Sequence, residues 1–427
     1  MNHKIKSMVS SLATLTLSFS LLNACAGGGT MQSSSERRPV TTENSGEGCP
    51  VPTLPDASNM EVIKTLPDPF LGLDGHRITE RDQWRCRRQE TLHQVQHYES
   101  GIKPGKPERV SGRVSAKSVT VTVHHQGKTI EFNAPVTLPN AGQAPYPAII
   151  TLGPATLDSE LLSDKGVAII SVDNNELGTQ SGENSRGNGL FYDLYGKDHS
   201  ASSMTAWAWG VSRLIDVLQE SDEGLIAANR LAVTGCSRNG KGALLAGALD
   251  ERVALTIPQE SGAGGAVAWR VAQAMAEEGV NVQTLSHAAG EQPWFRAGFG
   301  SEFGNNKVTR LPFDQHQLMG LVAPRGLLVL DNDIDWLGPI PAYIGTSAAR
   351  EIYRALGVEA NIAYSENGGH RHCALPDHQR DLLEGFVNRF LLDRPGTTGI
   401  FRSTLAEEDA VAPWVEWTTP DLSESPD

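Results

Sequence analysis

Residues 231–243 read LAVTGCSRNGKGA and combine an apolar run, a turn of small residues and the start of a helical pattern. An apolar run leads directly into Gly-Cys-Ser237, and a helical pattern follows. Small residues permit a sharp turn between a strand and a helix, and such a turn holds a serine oxygen clear of the sheet. The usual pattern is G-x-S-x-G, whereas here Gly240 stands one position later. Similar turns are common in α/β proteins, so Ser237 is a candidate nucleophile that needs support from its partners.

Short apolar runs on both sides of this stretch predict a parallel sheet. They are continuous rather than alternating, which is typical of strands covered on both faces. The runs are 148–152, 167–172, 231–234, 253–257, 326–330 and 361–364, and helical patterns occur at 203–219, 239–249, 344–356 and 378–392. Strand–helix alternation predicts a doubly wound, mostly parallel α/β sheet in a three-layer sandwich, with ligands at the carboxyl ends of the strands. Residues 119–124 and 129–132 alternate around Gln126-Gly127 and predict a hairpin.

The beginning of the chain predicts export. Two lysines precede a mostly apolar stretch, 8–22, that is short and rich in Ser and Thr. It ends in Leu-Asn-Ala-Cys25, which resembles a bacterial lipobox with Cys25 as the lipidated mature N-terminus. An ordinary signal peptide is the alternative. We expect a lipoprotein signal peptide over 1–25 and a bacterial outer-membrane lipoprotein, or otherwise a secreted protein.

Composition divides the rest of the chain. Residues 26–48 contain runs of Gly and Ser and no aromatic residue, which predicts a flexible tether. One continuous catalytic domain is expected over 49–402, followed by an acidic tail over 403–427 with seven acids and no base. With 50 acidic against 36 basic residues, the net charge of -14 argues against a nucleic-acid partner. We expect a monomer that meets the membrane only through the lipid anchor.

A serine nucleophile needs a base, and the base needs an acid that orients it. In this class of fold the base lies late in the chain, where GGHRHC (368–373) offers both His370 and His372. His372 is preferred because of the cysteine beside it. For the acid, Glu260 ends an apolar run and precedes a Gly-rich loop, whereas Asp331 and Asp333 follow a later strand. Position alone does not separate these three acids.

The cysteines other than Cys25 permit three pairings. Cys236 precedes Ser237 and Cys373 follows His372, so a Cys236–Cys373 bridge would hold their Cα atoms about 6 Å apart and bring the serine near the histidine. Cys49 and Cys86 would then form the second bridge. The alternative is that Cys236 and Cys373 are small buried thiols, with His370 as the base.

Donors for a developing oxyanion are expected at Arg238. Its backbone N–H begins the helix after the turn, and its guanidinium offers a second donor. The alternative for the side chain is a surface salt bridge.

Four sequence blocks resemble the glucuronoyl esterases of carbohydrate esterase family 15. They are GCSRNGKGA (235–243), IPQESGAGG (257–265), NDIDWLGP (332–339) and GGHRHC (368–373). The resemblance runs from about Cys49 to Leu392. It implies an α/β-hydrolase fold and cleavage of esters that join (4-O-methyl-)glucuronic acid on xylan to lignin alcohols. It also implies that no metal or cofactor is needed.

The same resemblance implies a role for each matching residue. Ser237 corresponds to the nucleophile, His372 to the base, Glu260 to the acid and Arg238 to the oxyanion donor. Residues expected to contact the sugar are Lys241, Gln283, Glu291 and Trp336. The bridges Cys236–Cys373 and Cys49–Cys86 match two fungal disulfides, and Ala268 and Gly345 stand near where a third would fall.

Two alternatives remain for the activity. The chain could be an esterase of another specificity, such as an acetyl-xylan or feruloyl esterase. It could also be a glycan-binding lipoprotein without catalysis, which the presence of Ser237, His372 and Glu260 argues against.

Overall fold

The computed structural model of the protein describes residues 40–423. The expected signal peptide with Cys25, and most of the expected tether, lie outside these residues. Nowhere in 40–423 is a helix both long and apolar enough to cross a membrane.

Ten strands form one sheet in the order β1-β2-β3-β5-β4-β6-β7-β8-β9-β10. Strands β1 to β3 and the β3–β5 pair are antiparallel, and all pairs from β5 to β10 are parallel. The strands are β1 (Arg109–Val114), β2 (Ser118–His125), β3 (Lys128–Thr137), β4 (Tyr146–Leu152), β5 (Ala168–Val172), β6 (Ile226–Cys236), β7 (Val253–Gln259), β8 (Gly326–Asp331), β9 (Ile362–Glu366) and β10 (Phe401–Arg402).

The helices lie between and beyond these strands. They are α1 (Arg81–Val95), α2 (Ser159–Asp164), α3 (Asn174–Leu177), α4 (Leu190–Tyr195), α5 (Ser203–Glu220), α6 (Arg238–Leu249), α7 (Trp269–Glu277), α8 (Leu285–Glu291), α9 (Phe299–Phe303), α10 (Gln315–Gly320), α11 (Pro339–Ala355) and α12 (Asp377–Leu391). Helices α7 to α10 all fall within the long segment between β7 and β8.

Apolar side chains on both faces of the sheet explain the three layers. Ile149 and Leu328 face a cluster that also contains side chains of α2 and α12. Their sequence neighbours Ile150 and Val329 face the opposite cluster, which includes α1, α5, α6 and α11. Alternate residues of a strand point to opposite faces, so a continuous apolar run fills both layers. The expected α/β-hydrolase sandwich is therefore present.

The hairpin between β2 and β3 also forms as expected. Gln126 and Gly127 connect the two strands with φ values of 48° and 74°. Two successive positive φ values suit the right-handed twist of paired strands.

Strand register brings the ends of the parallel strands to one edge. Cys236 at the end of β6 pairs with Gln259 at the end of β7, and Gln259 pairs with Leu330 of β8. Asp331 in turn pairs with Glu366 at the end of β9. The loops that follow β6, β7, β8 and β9 therefore meet at the carboxyl edge of the sheet.

Part of the segment expected to be a tether packs against the body. Glu43 pairs with Lys103 and Arg213, and the Ser45 hydroxyl donates to Glu251 at 2.8 Å. The acidic tail is also packed over its described part, because Leu422 is buried and Trp414 and Trp417 contact the core.

Candidate active site

The turn after β6 holds Ser237 in a strained conformation. Its φ and ψ are 58° and -127°, a region that non-glycine residues rarely occupy. A Cβ atom at Gly235 would lie 2.5 Å from the backbone oxygen of Asn239, and one at Gly240 would lie 2.7 Å from that of Gln259. Glycine is required at both positions, so this sequence forms the sharp turn although its second glycine is displaced by one residue.

A buried carboxylate and a histidine pair beside this turn. Glu260 follows β7 and is 1% exposed, whereas the side chain of His372 is 40% exposed. The Nδ1 atom of His372 lies 2.5 Å from Oε2 of Glu260. A carboxylate at Nδ1 holds the proton there and leaves Nε2 free to accept another. The pair can therefore act as a general base oriented by an acid.

A disulfide joins the histidine loop to the serine turn. The Cα atoms of Cys236 and Cys373 are 5.7 Å apart in this bridge, and a ring nitrogen of His372 lies within 4.8 Å of both sulfurs. The second expected bridge, Cys49–Cys86, is present as well. The alternative of two free buried thiols at Cys236 and Cys373 is therefore wrong, and His372 lies next to the turn that carries Ser237.

The competing acids have other surroundings. Asp331 is buried, and burial followed by the nearby charge of Glu260 raises the pKa of its carboxyl well above the usual value. It accepts from the hydroxyl of Tyr364 at 3.4 Å. Asp333 is exposed and its carboxylate lies against Gly368. Of the three candidate acids, Glu260 is the one that hydrogen-bonds His372.

The rival histidine lies behind this pair. The Nε2 atom of His370 is 2.9 Å from the backbone oxygen of Asn367, and its Nδ1 is 3.9 Å from Oε1 of Glu260.

Sequence reasoning passed over Asn332, which lies between His370 and Glu260 and contacts both. No sequence pattern singles out Asn332, because its importance depends on which strand ends meet.

Arg238 begins α6 directly after the turn and is exposed. The first N–H groups of a helix have no partner within it and carry partial positive charge. An oxyanion formed at Ser237 would therefore meet a favourable field from the backbone, with the guanidinium available as a second donor.

Lys241 lies one helical turn beyond Ser237 and is 3% exposed. Its Nζ atom donates to the backbone oxygen of Ser261 at 2.5 Å and lies 5.5 Å from the ring centre of Trp294. Burial lowers the pKa of this ammonium to about 7, although the charges of Glu291 and Asp331 oppose the shift.

The remaining expected sugar contacts form a connected group. Nε2 of Gln283 donates to Oε1 of Glu291 at 2.6 Å, and the backbone N–H of Gln283 donates to the backbone oxygen of Trp336 at 3.1 Å. Trp336 is 36% exposed, and its ring lies 5.2 Å from that of His287. An exposed aromatic face beside a polar pair suits a pyranose ring with its hydroxyls. Sequence reasoning passed over His287.

Comparison with known proteins identifies the family. The model described as "Glucuronyl esterase, fungi" matches residues 121–357, and the chain is 44% identical to the 4-O-methyl-glucuronoyl methylesterase of Hypocrea jecorina over 88% of its length and 80% of that protein. The chain belongs to the glucuronoyl esterase family. The resemblance of the four sequence blocks is thereby confirmed.

Solved glucuronoyl esterases share the fold. The Sporotrichum thermophile enzyme has a TM-score of 0.83 at 43% identity, covering 88% of this chain and all of that one. A carbohydrate esterase family 15 enzyme from Caldicellulosiruptor kristjansonii has a TM-score of 0.73 at 33% identity, covering 85% of this chain and 99% of that one.

The site expected for a third bridge is recognisable in this chain. A Cβ atom at Gly345 would lie 3.3 Å from Cβ of Ala268. The two positions therefore face each other, and small residues occupy the place expected for a disulfide.

Proposed function

We propose that this chain hydrolyses esters that join (4-O-methyl-)glucuronic acid of xylan to lignin alcohols, with Ser237, His372 and Glu260 as a catalytic triad. The observation that carries the proposal is the bond from His372 to Glu260, next to a disulfide that ends at the Ser237 turn. Family membership adds the substrate class, because the Hypocrea jecorina relative is named 4-O-methyl-glucuronoyl methylesterase.

The reaction is a two-step acyl transfer. Nε2 of His372 takes the proton of the Ser237 hydroxyl while the oxygen attacks the uronate carbonyl. The backbone N–H and guanidinium of Arg238 stabilise the oxyanion, and His372 then returns the proton to the leaving alcohol. Water, activated by the same imidazole, attacks the acyl-enzyme and frees the glucuronate. Glu260 stabilises the imidazolium that forms in each step.

The polar group around Lys241 supports recognition of a sugar acid. Gln283 and Glu291 offer donors and acceptors for hydroxyls, and Trp336 offers a ring face. A serine-to-alanine mutant of the Sporotrichum thermophile enzyme has been solved in complex with methyl 4-O-methyl-beta-D-glucopyranuronate. We propose that the same class of sugar ester binds between Lys241 and Trp336.

A panel of esters tests this function. Wild type and Ser237→Ala are compared on methyl and benzyl glucuronate and on acetylated and feruloylated xylo-oligosaccharides. We expect cleavage of the glucuronate esters and a loss of about 10⁶ in kcat in the variant. Faster cleavage of acetyl or feruloyl esters would assign a different esterase specificity. Binding of glucuronoxylan without cleavage of any ester would identify a non-catalytic binding protein.

Export is supported by the two disulfides, since such bridges persist in oxidising compartments.

We further propose that Cys25 carries a lipid that anchors the protein to the bacterial outer membrane, and that the protein is a monomer without a cofactor. Labelling with a palmitate analogue in a diderm host should mark wild type but not Cys25→Ala. Soluble, unlabelled wild type would indicate an ordinary signal peptide, and light scattering on the purified protein tests the monomer.

A further inference from the structure

We propose that Asn332 is a positioning residue that holds the Glu260 carboxylate in line with His372. The inference rests on the proposed triad and extends it by one residue. Asn332 follows β8 between the two aspartates that compete for the role of the acid, and it is 0% exposed. A fully buried amide needs partners for its polar atoms.

The orientation of the Asn332 amide follows from its neighbours. Its Oδ1 atom is 2.7 Å from the backbone N–H of Asp333, which can only donate. Nδ2 therefore points the other way, where it lies 3.3 Å from Oε2 of Glu260. A donor facing a buried carboxylate is the favourable arrangement, and the reversed amide would set two acceptors against each other.

The second hydrogen of Nδ2 points to His370. Nδ2 lies 3.3 Å from the ring Nδ1 of His370 and 3.4 Å from the backbone oxygen of the same residue. Asn332 is thus held from behind by the loop that also carries His372. One amide connects the strand end, the acid and the histidine loop.

The consequence concerns the oxygen that faces the base. Oε2 of Glu260 accepts from both Asn332 and His372, whereas Oε1 has no hydrogen-bond partner among the described residues. The backbone of Glu260 is itself strained, with φ at 45°. Without the Asn332 donor, the Glu260 carboxylate could rotate more freely. The 2.5 Å hydrogen bond between Glu260 and His372 would then be formed for a smaller fraction of the time.

Two replacements of similar size separate positioning from packing. Asn332→Leu removes the donor without adding charge. Asn332→Asp places a second carboxylate about 3 Å from Glu260, and two such groups cannot both ionise until the pH is raised. The charged and titratable groups around this point are Glu260, Asp331, Asp333, Glu366, Lys241, His370 and His372.

The experiment measures kcat and KM for both variants from pH 5 to 9. We expect kcat of Asn332→Leu to fall about 10- to 100-fold at every pH, with KM changed less than twofold. Asn332→Asp should be impaired most at low pH and should recover as the pH rises. An exposed aspartate before β6, at the opposite edge of the sheet, serves as control, since Asp222→Asn should stay within twofold of wild type.

The proposal is overturned if Asn332→Leu keeps kcat within twofold, or if both variants lose the same activity with the same pH profile. A change confined to KM would also overturn it. Because Asn332→Asp preserves shape, it remains measurable even if the leucine variant folds poorly. Kinetics are taken on whichever ester the wild type cleaves best, so a wrong substrate assignment shows in the ester panel and not in this comparison.

Discussion

Glu260 and His372 are 112 residues apart in the chain, yet the imidazole Nδ1 and the carboxylate Oε2 are separated by 2.5 Å. The acid follows β7 rather than β8, and its backbone takes a φ of 45° in doing so. Because Glu260 is buried, its charge is poorly screened by water and stabilises a neighbouring imidazolium strongly. In the proposed mechanism, the imidazolium that forms at His372 would offset the cost of burying that carboxylate.

Glu260→Gln should lower kcat by about 10⁴ with little change in KM, because an amide at this point no longer stabilises the imidazolium and can favour the wrong tautomer of His372. Steady-state kinetics on methyl glucuronate measure the effect. Asp331→Asn is the comparison. If that variant lost more activity than Glu260→Gln, Asp331 rather than Glu260 would be the acid.

The sequence alone could predict two members of the proposed triad but could not decide the third. Ser237 could be predicted from the turn between an apolar strand and a helix, and His372 from the cysteine beside it, because a disulfide converts adjacency in the sequence into proximity in space. Glu260 could not be separated from Asp331 by position, since parallel strands bring all their carboxyl ends to one edge. Asn332 was missed for the same reason.

The fold shows a similar limit. Continuous apolar runs correctly predicted β4 to β9, because burial on both faces requires them. Helix α1 was missed because its buried residues include Arg87, Arg88 and Gln94. Arg88 is buried by donating to the backbone oxygens of Leu321 and Ala248. Apolar periodicity does not reveal a helix whose buried face is largely polar, with hydrogen bonds to carbonyls that lie far away in the sequence.

Removing the two disulfides should have different consequences. Replacing Cys236 and Cys373 by serine opens a link across 137 residues and frees the His372 loop, so we expect losses of both stability and kcat. The matched control, Cys49→Ser with Cys86→Ser, opens a link across 37 residues and should lower stability with kcat preserved. Each loss of stability should be about 2–5 kcal/mol, measured by denaturant unfolding.

Kinetics of the two disulfide variants are compared below their unfolding temperatures. Equal kcat values in the two variants would show that the Cys236–Cys373 bridge stabilises the domain without positioning His372.

Lys241→Met should change the pH dependence of stability. Burial in the folded protein lowers the pKa of Lys241 to about 7, whereas the pKa of an unfolded lysine is about 10.4. Between these two pKa values the unfolded chain holds a proton that the folded chain lacks. The free energy of unfolding of the wild type therefore increases as the pH rises. The stability of the methionine variant relative to wild type should therefore be highest below pH 7 and fall above it, by at most about 1.4 kcal/mol per pH unit.

Urea unfolding of wild type and Lys241→Met at pH 6 and pH 9 measures this difference. A difference that is the same at both values would mean that the ammonium stays charged in the folded protein.

Glu43→Gln should destabilise the protein although the residue lies in a segment expected to be flexible. Burial acts to raise the pKa of Glu43, but the charges of Lys103 and Arg213 outweigh it and the net pKa is lowered. Both cations are themselves largely buried. Removing this charge takes away the salt-bridge partner of the buried Lys103, whereas Arg213 keeps its 2.8 Å pair with Asp216. Leaving the Lys103 ammonium unpaired should cost about 2–4 kcal/mol at pH 7.

The sign of the pH effect gives a sharper test. A carboxyl whose pKa is lowered on folding stabilises the protein above its unfolded value and loses that contribution as the pH falls through its folded value. The difference in the free energy of unfolding between Glu43→Gln and wild type should therefore become smaller below about pH 4. As control, Glu220→Gln breaks an exposed pair with Lys106 and should lose less than about 1 kcal/mol. Equal losses for Glu43 and Glu220 in denaturant unfolding would show that residues 40–48 contribute nothing beyond a surface contact.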